Sequence, residues 1–130
     1  MKRIIAFVLA VMMTAVLLAG CGGGKEQRVV NVCSWGEYID ESLIGEFESQ
    51  TGIHVNYQTA ESNETLYSLL QTGGADFDVI VPSDYMIGRL IDEGMLAELD
   101  YSAIPNYDLI DPQYKSLSFD PENKYTVPYS

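Results

Sequence analysis

The sequence predicts an α/β fold with a mainly parallel sheet flanked by helices, and two observations carry that reading. Beginning at Val29, short apolar runs alternate with amphipathic segments at a spacing of roughly 25 residues, the period of a strand-loop-helix unit. The third run, Asp78-Val79-Ile80-Val81, is nearly all apolar, as in a strand covered on both faces of a parallel sheet.

The elements follow in order. Val29 to Cys33 reads as a strand. Asp40 is placed to cap a helix in which Leu43, Ile44 and Phe47 share one face and Gly52 marks the exit. Ile53 to Thr59 alternates as a strand does, and Ser62 or Asn63 can cap a second helix carrying Leu66, Leu69 and Leu70 before Gly73-Gly74 breaks it. After the third strand Pro82 stops the run, and Ser83 or Asp84 can open a helix whose Met86, Ile87, Leu90 and Ile91 form an apolar stripe ending near Gly94. Leu96 to Leu99 is read as a short fourth strand, and residues 101 to 130 offer no clear element.

The first residues belong to a different vocabulary. Lys2 and Arg3 precede an apolar stretch from Ile4 to Leu18, which reads as a signal peptide over residues 1–20 and not as part of the fold. Length alone does not separate this from a transmembrane helix of roughly 20 residues. The small residues of Leu18-Ala19-Gly20-Cys21 and the following Gly22-Gly23-Gly24 decide for processing. This tetrapeptide resembles the lipobox of bacterial lipoproteins, in which cleavage falls before the cysteine and its sulfur carries a diacylglycerol. Cys21 is therefore the expected lipidation site, with residues 21–28 as a flexible tether and residues 29–130 as the folded lobe.

The chain of 130 residues has 19 acidic and seven basic side chains, a net charge of −12. Residues 21–130 keep all 19 acidic residues but five basic ones, about −14. Such a surface disfavours nucleic acid and concentrates cations by steering. With Cys21 acylated, Cys33 is the one thiol left, best read as a buried small hydrophobe. His54 is the sole histidine and falls in a strand, away from its end, so no Ser/His/Asp or Cys/His arrangement can be assembled. No ligand spacing suggests a metal, no cofactor is expected, and neither glycine run precedes Lys-Ser/Thr as a phosphate cradle does. Enzymatic activity is not expected.

In open α/β sheets ligands bind outside the carboxyl ends of the strands. Chain order nominates three loops: Ser34 to Ile39, Ala60 to Asn63, and Pro82 to Tyr85. The first holds Trp35, Glu37 and Tyr38, and the third holds Ser83 and Tyr85. Aromatic faces attract ammonium groups by about 0.5–2 kcal/mol. A carboxylate about 4 Å away adds roughly 4 kcal/mol of gross Coulomb energy at an effective dielectric near 20, much of it offset by desolvation. The rings also cover methylenes at about 0.8 kcal/mol each, so an aliphatic amine would use every feature of this rim.

The stretches "CSWGEYID", "TGIHVNY", "ESNETLYSLL", "DFDVIVPSDYM" and "EGMLAELD", followed by "IDPQYKSLSFDPENKYTVPYS", resemble the amino-terminal lobe of the spermidine/putrescine-binding proteins of bacterial ABC importers. The resemblance covers residues 29 to 130. It implies a periplasmic-binding-protein-like lobe that is incomplete because the second lobe is absent, a polyamine ligand boxed by aromatics and held by carboxylates, an ABC transporter permease as partner, and a lipid-anchored monomer in the periplasmic space or at the outer face of the cytoplasmic membrane. Carried over by position, Trp35, Glu37, Tyr38, Ser83 and Tyr85 are its ligand-contacting residues. Gly36 and Asp84 stand where some members of that family carry Thr. They leave open which polyamine is preferred, or whether another small cation or amine-bearing metabolite replaces it.

Overall fold

The computed structural model describes residues 27–129; the signal peptide, Cys21 and most of the tether expected from the sequence lie outside them. Strand β1 (Val29–Ser34), helix α1 (Ser42–Thr51), strand β2 (His54–Thr59), helix α2 (Asn63–Gln71), strand β3 (Val79–Ile80) and helix α3 (Asp84–Asp92) follow one another as the alternation predicts. The three strands form one parallel sheet in the order β2-β1-β3.

Local chemistry sets the boundaries. The Asp40 carboxylate accepts from the Ser42 amide at 3.0 Å, and hydrogen bonding from Ser42, first through its side chain and then through this amide, holds its carboxyl below the usual range, although the helix proper starts after Glu41. Gly52 ends α1 in the left-handed conformation, φ 68°, where a side chain would crowd the backbone. Ser62, one of the two candidates, caps α2 by accepting from the Thr65 amide at 3.1 Å. Ser83 occupies the corresponding position before α3 without a side-chain cap bond. Asp84 is the first residue inside that helix and not its cap.

The core lies where α2 and α3 meet the sheet. Cys33, Ala60 and Leu66 form one buried cluster, against which Trp35, Leu70, Phe77 and Ile80 pack. Tyr67, Met86 and Leu90 form the adjoining one, joined by Met95 and Leu96. Cys33 is fully buried, and that burial raises its thiol pKa, in keeping with a structural role. A surface clasp bridges the two helices: Tyr67 donates to Glu93 at 2.7 Å, Arg89 donates to the other Glu93 oxygen at 2.9 Å, and the guanidinium lies 3.7 Å over the Tyr67 ring.

Three sequence expectations change. The ladder of β3 shrinks to Val79–Ile80, with the flanking amides of Asp78 and Val81 donating to Asn31 and Cys33. Val79 is 48% exposed, so this edge strand is not covered on both faces by the described residues. On α1 the apolar stripe exists, but Leu43 and Phe47 remain exposed; amphipathic spacing predicts a helix, not the partner that covers it. Leu96 to Leu99 is no strand, because its Leu99 amide bonds the Lys124 carbonyl outside any ladder.

The region from residue 101 onward, where the sequence shows no element, is folded. Three short 3₁₀ turns, Tyr101–Ala103, Pro105–Leu109 and Pro112–Tyr114, lead to the buried carboxylate of Asp120. It accepts from the amides of Lys124, Tyr125 and Thr126 and from the Thr126 hydroxyl, all at 2.9–3.0 Å. Such bonds are made by side chains to nearby backbone, and they leave no hydrophobic period to read.

Candidate functional site

With β1 in the middle, the chain moves from it to β2 on one side and then to β3 on the other. The direction of winding therefore reverses across β1, and the loops after β1 and β3 flank the switch point where open α/β sheets bind ligands. The strand ends are tied together: Val81 donates to the Cys33 carbonyl and Ala60 to the Ser34 carbonyl, both at 2.9 Å. Adjacent strands lie about 4.8 Å apart, so the loop of Trp35, Glu37 and Tyr38 and the loop of Ser83 and Tyr85 leave one edge side by side.

Each nominated side chain has a defined setting. Trp35 is half-buried, its ring against the Cys33, Ala60 and Leu66 cluster, and its carbonyl accepts from the Tyr57 hydroxyl at 3.2 Å. Glu37 is exposed and has φ 63°. A left-handed backbone at a residue other than Gly, Asn or Asp costs about 1 kcal/mol, and strain of this kind concentrates at functional sites. Tyr38 is partly exposed and stacks on Tyr129, ring centroids 5.7 Å apart, while the Tyr129 hydroxyl donates to the Tyr38 carbonyl.

On the other side of the rim, Ser83 is held by Asn63. The Asn63 side-chain amide donates to the Ser83 hydroxyl oxygen at 3.1 Å, and the Ser83 backbone amide donates back to Asn63 Oδ1 at 3.0 Å. Tyr85, more than half exposed, donates to the Glu64 carboxylate at 3.0 Å. The carboxylate bonded to this ring is thus Glu64 and not Glu37. Asn63, Glu64 and Tyr129 are rim residues that the sequence reading assigned no ligand role. The signal available for the first two was their place at the end of the second nominated loop and just after it.

Charge reinforces the geometry. Within residues 34–41, 60–64 and 82–85 stand Glu37, Asp40, Glu41, Glu61, Glu64 and Asp84, with no lysine or arginine. Glu64 titrates below the usual range, first because its own backbone N–H donates to it and then because Tyr85 does. Burial, with Glu64 adding to it, raises the Tyr85 phenol. An open concavity of about 520 Å³ lies elsewhere, between Asn31, Asn56, Tyr57 and Gln58 on the strands and the Gly74–Phe77 loop. Among the described residues no group of three or more His, Cys, Asp or Glu is arranged to hold a metal. His54 sits exposed with Nδ1 2.7 Å from Glu48, a surface contact between α1 and β2.

A three-stranded parallel sheet flanked by helices, its switch point edged by aromatics and carboxylates, defines an α/β lobe. Residues 34–130 match the family model described as bacterial extracellular solute-binding protein, and the chain belongs to that family. It is 43% identical over 98 residues to the spermidine/putrescine-binding periplasmic protein of Salmonella typhimurium, covering 74% of this chain and 28% of the relative. To a putrescine-binding periplasmic protein of Escherichia coli it is 36% identical over 106 residues, 80% of this chain and 29% of the relative.

Among solved structures, a spermidine/putrescine ABC transporter protein from Listeria monocytogenes superposes with a TM-score of 0.76 at 47% identity, covering 78% of this chain and 32% of that one. The spermidine/putrescine ABC transporter substrate-binding protein of Streptococcus pneumoniae gives 0.76 at 42% identity over the same shares. The fold expected from the sequence, a lobe of the periplasmic-binding-protein type, is the fold these relatives have. The chain spans about three-tenths of their length.

Proposed function

We propose that this chain is the amino-terminal ligand-binding lobe of an extracytoplasmic polyamine-binding subunit of an ABC importer. What supports the reading is that β1 and β3 are neighbours at the switch point of the sheet, so that the loop holding Trp35, Glu37 and Tyr38 and the loop holding Ser83 and Tyr85 are adjacent, and that neither loop contains a lysine or arginine. Relatives similar across this segment bear the names of spermidine/putrescine- and putrescine-binding proteins. The rings would cover the methylenes of a diamine and the carboxylates would face its ammonium ends. The role is capture and delivery to a permease, without turnover.

Calorimetric titration with putrescine and spermidine tests the assignment. Glu37→Gln and Trp35→Ala should each weaken binding by about tenfold or more, the scale of losing one charge-assisted or aromatic contact of roughly 1.5 kcal/mol. Unchanged affinity in both variants would rule it out. Gly36 favours a second reading, another small cation such as a quaternary ammonium compound: a Cβ built there meets nothing within 4 Å, which leaves room beside Trp35. A thermal shift with choline or betaine and none with diamines would select it.

The same proposal includes the anchor. Lipidation at Cys21, with residues 21–28 as tether, would hold a monomeric lobe at the outer face of the cytoplasmic membrane. Cys21→Ala should then abolish incorporation of labelled fatty acid and release the protein from the membrane fraction.

A further inference from the structure

The first two residues of α2 grip the beginning of α3. Asn63 and Ser83 exchange two hydrogen bonds, and Glu64 accepts the hydrogen bond of the Tyr85 hydroxyl at 3.0 Å. Glu64 lies in the first turn of α2, where the helix N-terminus favours negative charge. Its carboxyl is held below the usual range by its own N–H and by Tyr85. An ionised carboxylate can only accept. The phenol proton must therefore point toward Glu64, and the phenol oxygen meets other groups as an acceptor, as it already does toward the Asn63 side chain, whose bond opposes the rise in the phenol pKa.

We infer that Glu64 is a positioning residue that fixes the Tyr85 hydroxyl as a hydrogen-bond acceptor and so biases the rim toward ligands that only donate. An ammonium has three N–H donors and no acceptor, so it complements an oxygen in that state. A ligand presenting a carboxylate or carbonyl at this point would find no donor on Tyr85 and a negative charge behind it. Without Glu64 the hydroxyl would rotate freely and serve either kind. The inference rests on the reading of Tyr85 as a ligand contact. It adds the residue that sets the polarity of that contact.

The test is a double-mutant cycle on the intact gene product with putrescine as probe: Glu64→Ala, Tyr85→Phe and both together. Each single variant should lose about tenfold in affinity, and the double variant should bind no more weakly than Tyr85→Phe alone, since coupled residues are non-additive. Both side chains lie on the surface, and unchanged thermal melts check that the variants fold. A second readout needs no ligand: the ultraviolet difference titration between the unsubstituted and Tyr85→Phe proteins should place this phenol above the ordinary tyrosine range, returning toward it in Glu64→Ala. Additive losses, or a phenol that does not respond to Glu64→Ala, would overturn the inference while leaving polyamine binding in place. An unsubstituted protein that binds no diamine would overturn the functional reading, and this inference with it.

Discussion

The two halves of the described chain are held together by different physics. In residues 29–99 backbone groups are satisfied by a ladder and three helices, and buried apolar side chains such as Leu66, Met86 and Leu90 supply the driving force. In residues 100–129 neither ladder nor α-helix forms. One carboxylate, Asp120, 2% exposed, gathers three amides and a hydroxyl. Tyr101 donates to the Thr126 carbonyl at 2.8 Å, and the Asn123 side chain accepts from the Ser116 amide at 2.9 Å. The lesson is that a segment without hydrophobic periodicity can still be fixed when a buried charge is fully paired with local donors.

The comparison can be broken most forcefully from the apolar side. Leu90→Ala should cost about 3 kcal/mol, within the range for a fully buried leucine, and lower the midpoint of urea denaturation for both halves together. Asp120→Ala should cost about 2 kcal/mol by stranding buried donors, with a different signature. Amide exchange should accelerate across residues 116–126 while β1 stays protected, provided the second half opens as its own unit. Equal acceleration everywhere would show that the halves unfold as one.

Acid sharpens the contrast further. Burial by itself would raise the Asp120 carboxyl, but its bonds to Lys124, Tyr125 and Thr126 outweigh burial and hold it below the usual range. A group depressed in the folded state contributes fully above its unfolded value, near about 3.9 for aspartate, and loses that contribution as pH falls toward the folded one. Residues 100–129 should therefore loosen below about pH 4, and Asp120→Asn should remove that part of the pH dependence. The smallest effect belongs to the first half: Gly52→Ala forces a side chain into the left-handed region at φ 68° and should cost about 1 kcal/mol, read as a shift in the thermal midpoint.

How much of this was legible follows the same divide. Strand-helix alternation, the glycine at the end of α1 and the buried Cys33 were readable because each is a local pattern with one physical cause. The positions of Trp35, Glu37, Tyr38, Ser83 and Tyr85 at strand ends were readable from chain order once the strands were placed. The pairing of Tyr85 with Glu64, 21 residues apart, was not, since it depends on how closely α2 approaches α3. The Asp120 knot was missed because aspartate in a polar stretch looks like any solvated acid until its burial is known.

The sequence by itself determined the order of elements, the net negative charge and the family resemblance, since propensity, periodicity and composition are properties of neighbouring residues. Tertiary structure alone decided that β1 lies between β2 and β3, that Glu64 rather than Glu37 bonds Tyr85, and that Tyr38 stacks on Tyr129. These are contacts between groups far apart along the chain. Their geometry is set by packing of whole elements, which no local pattern encodes.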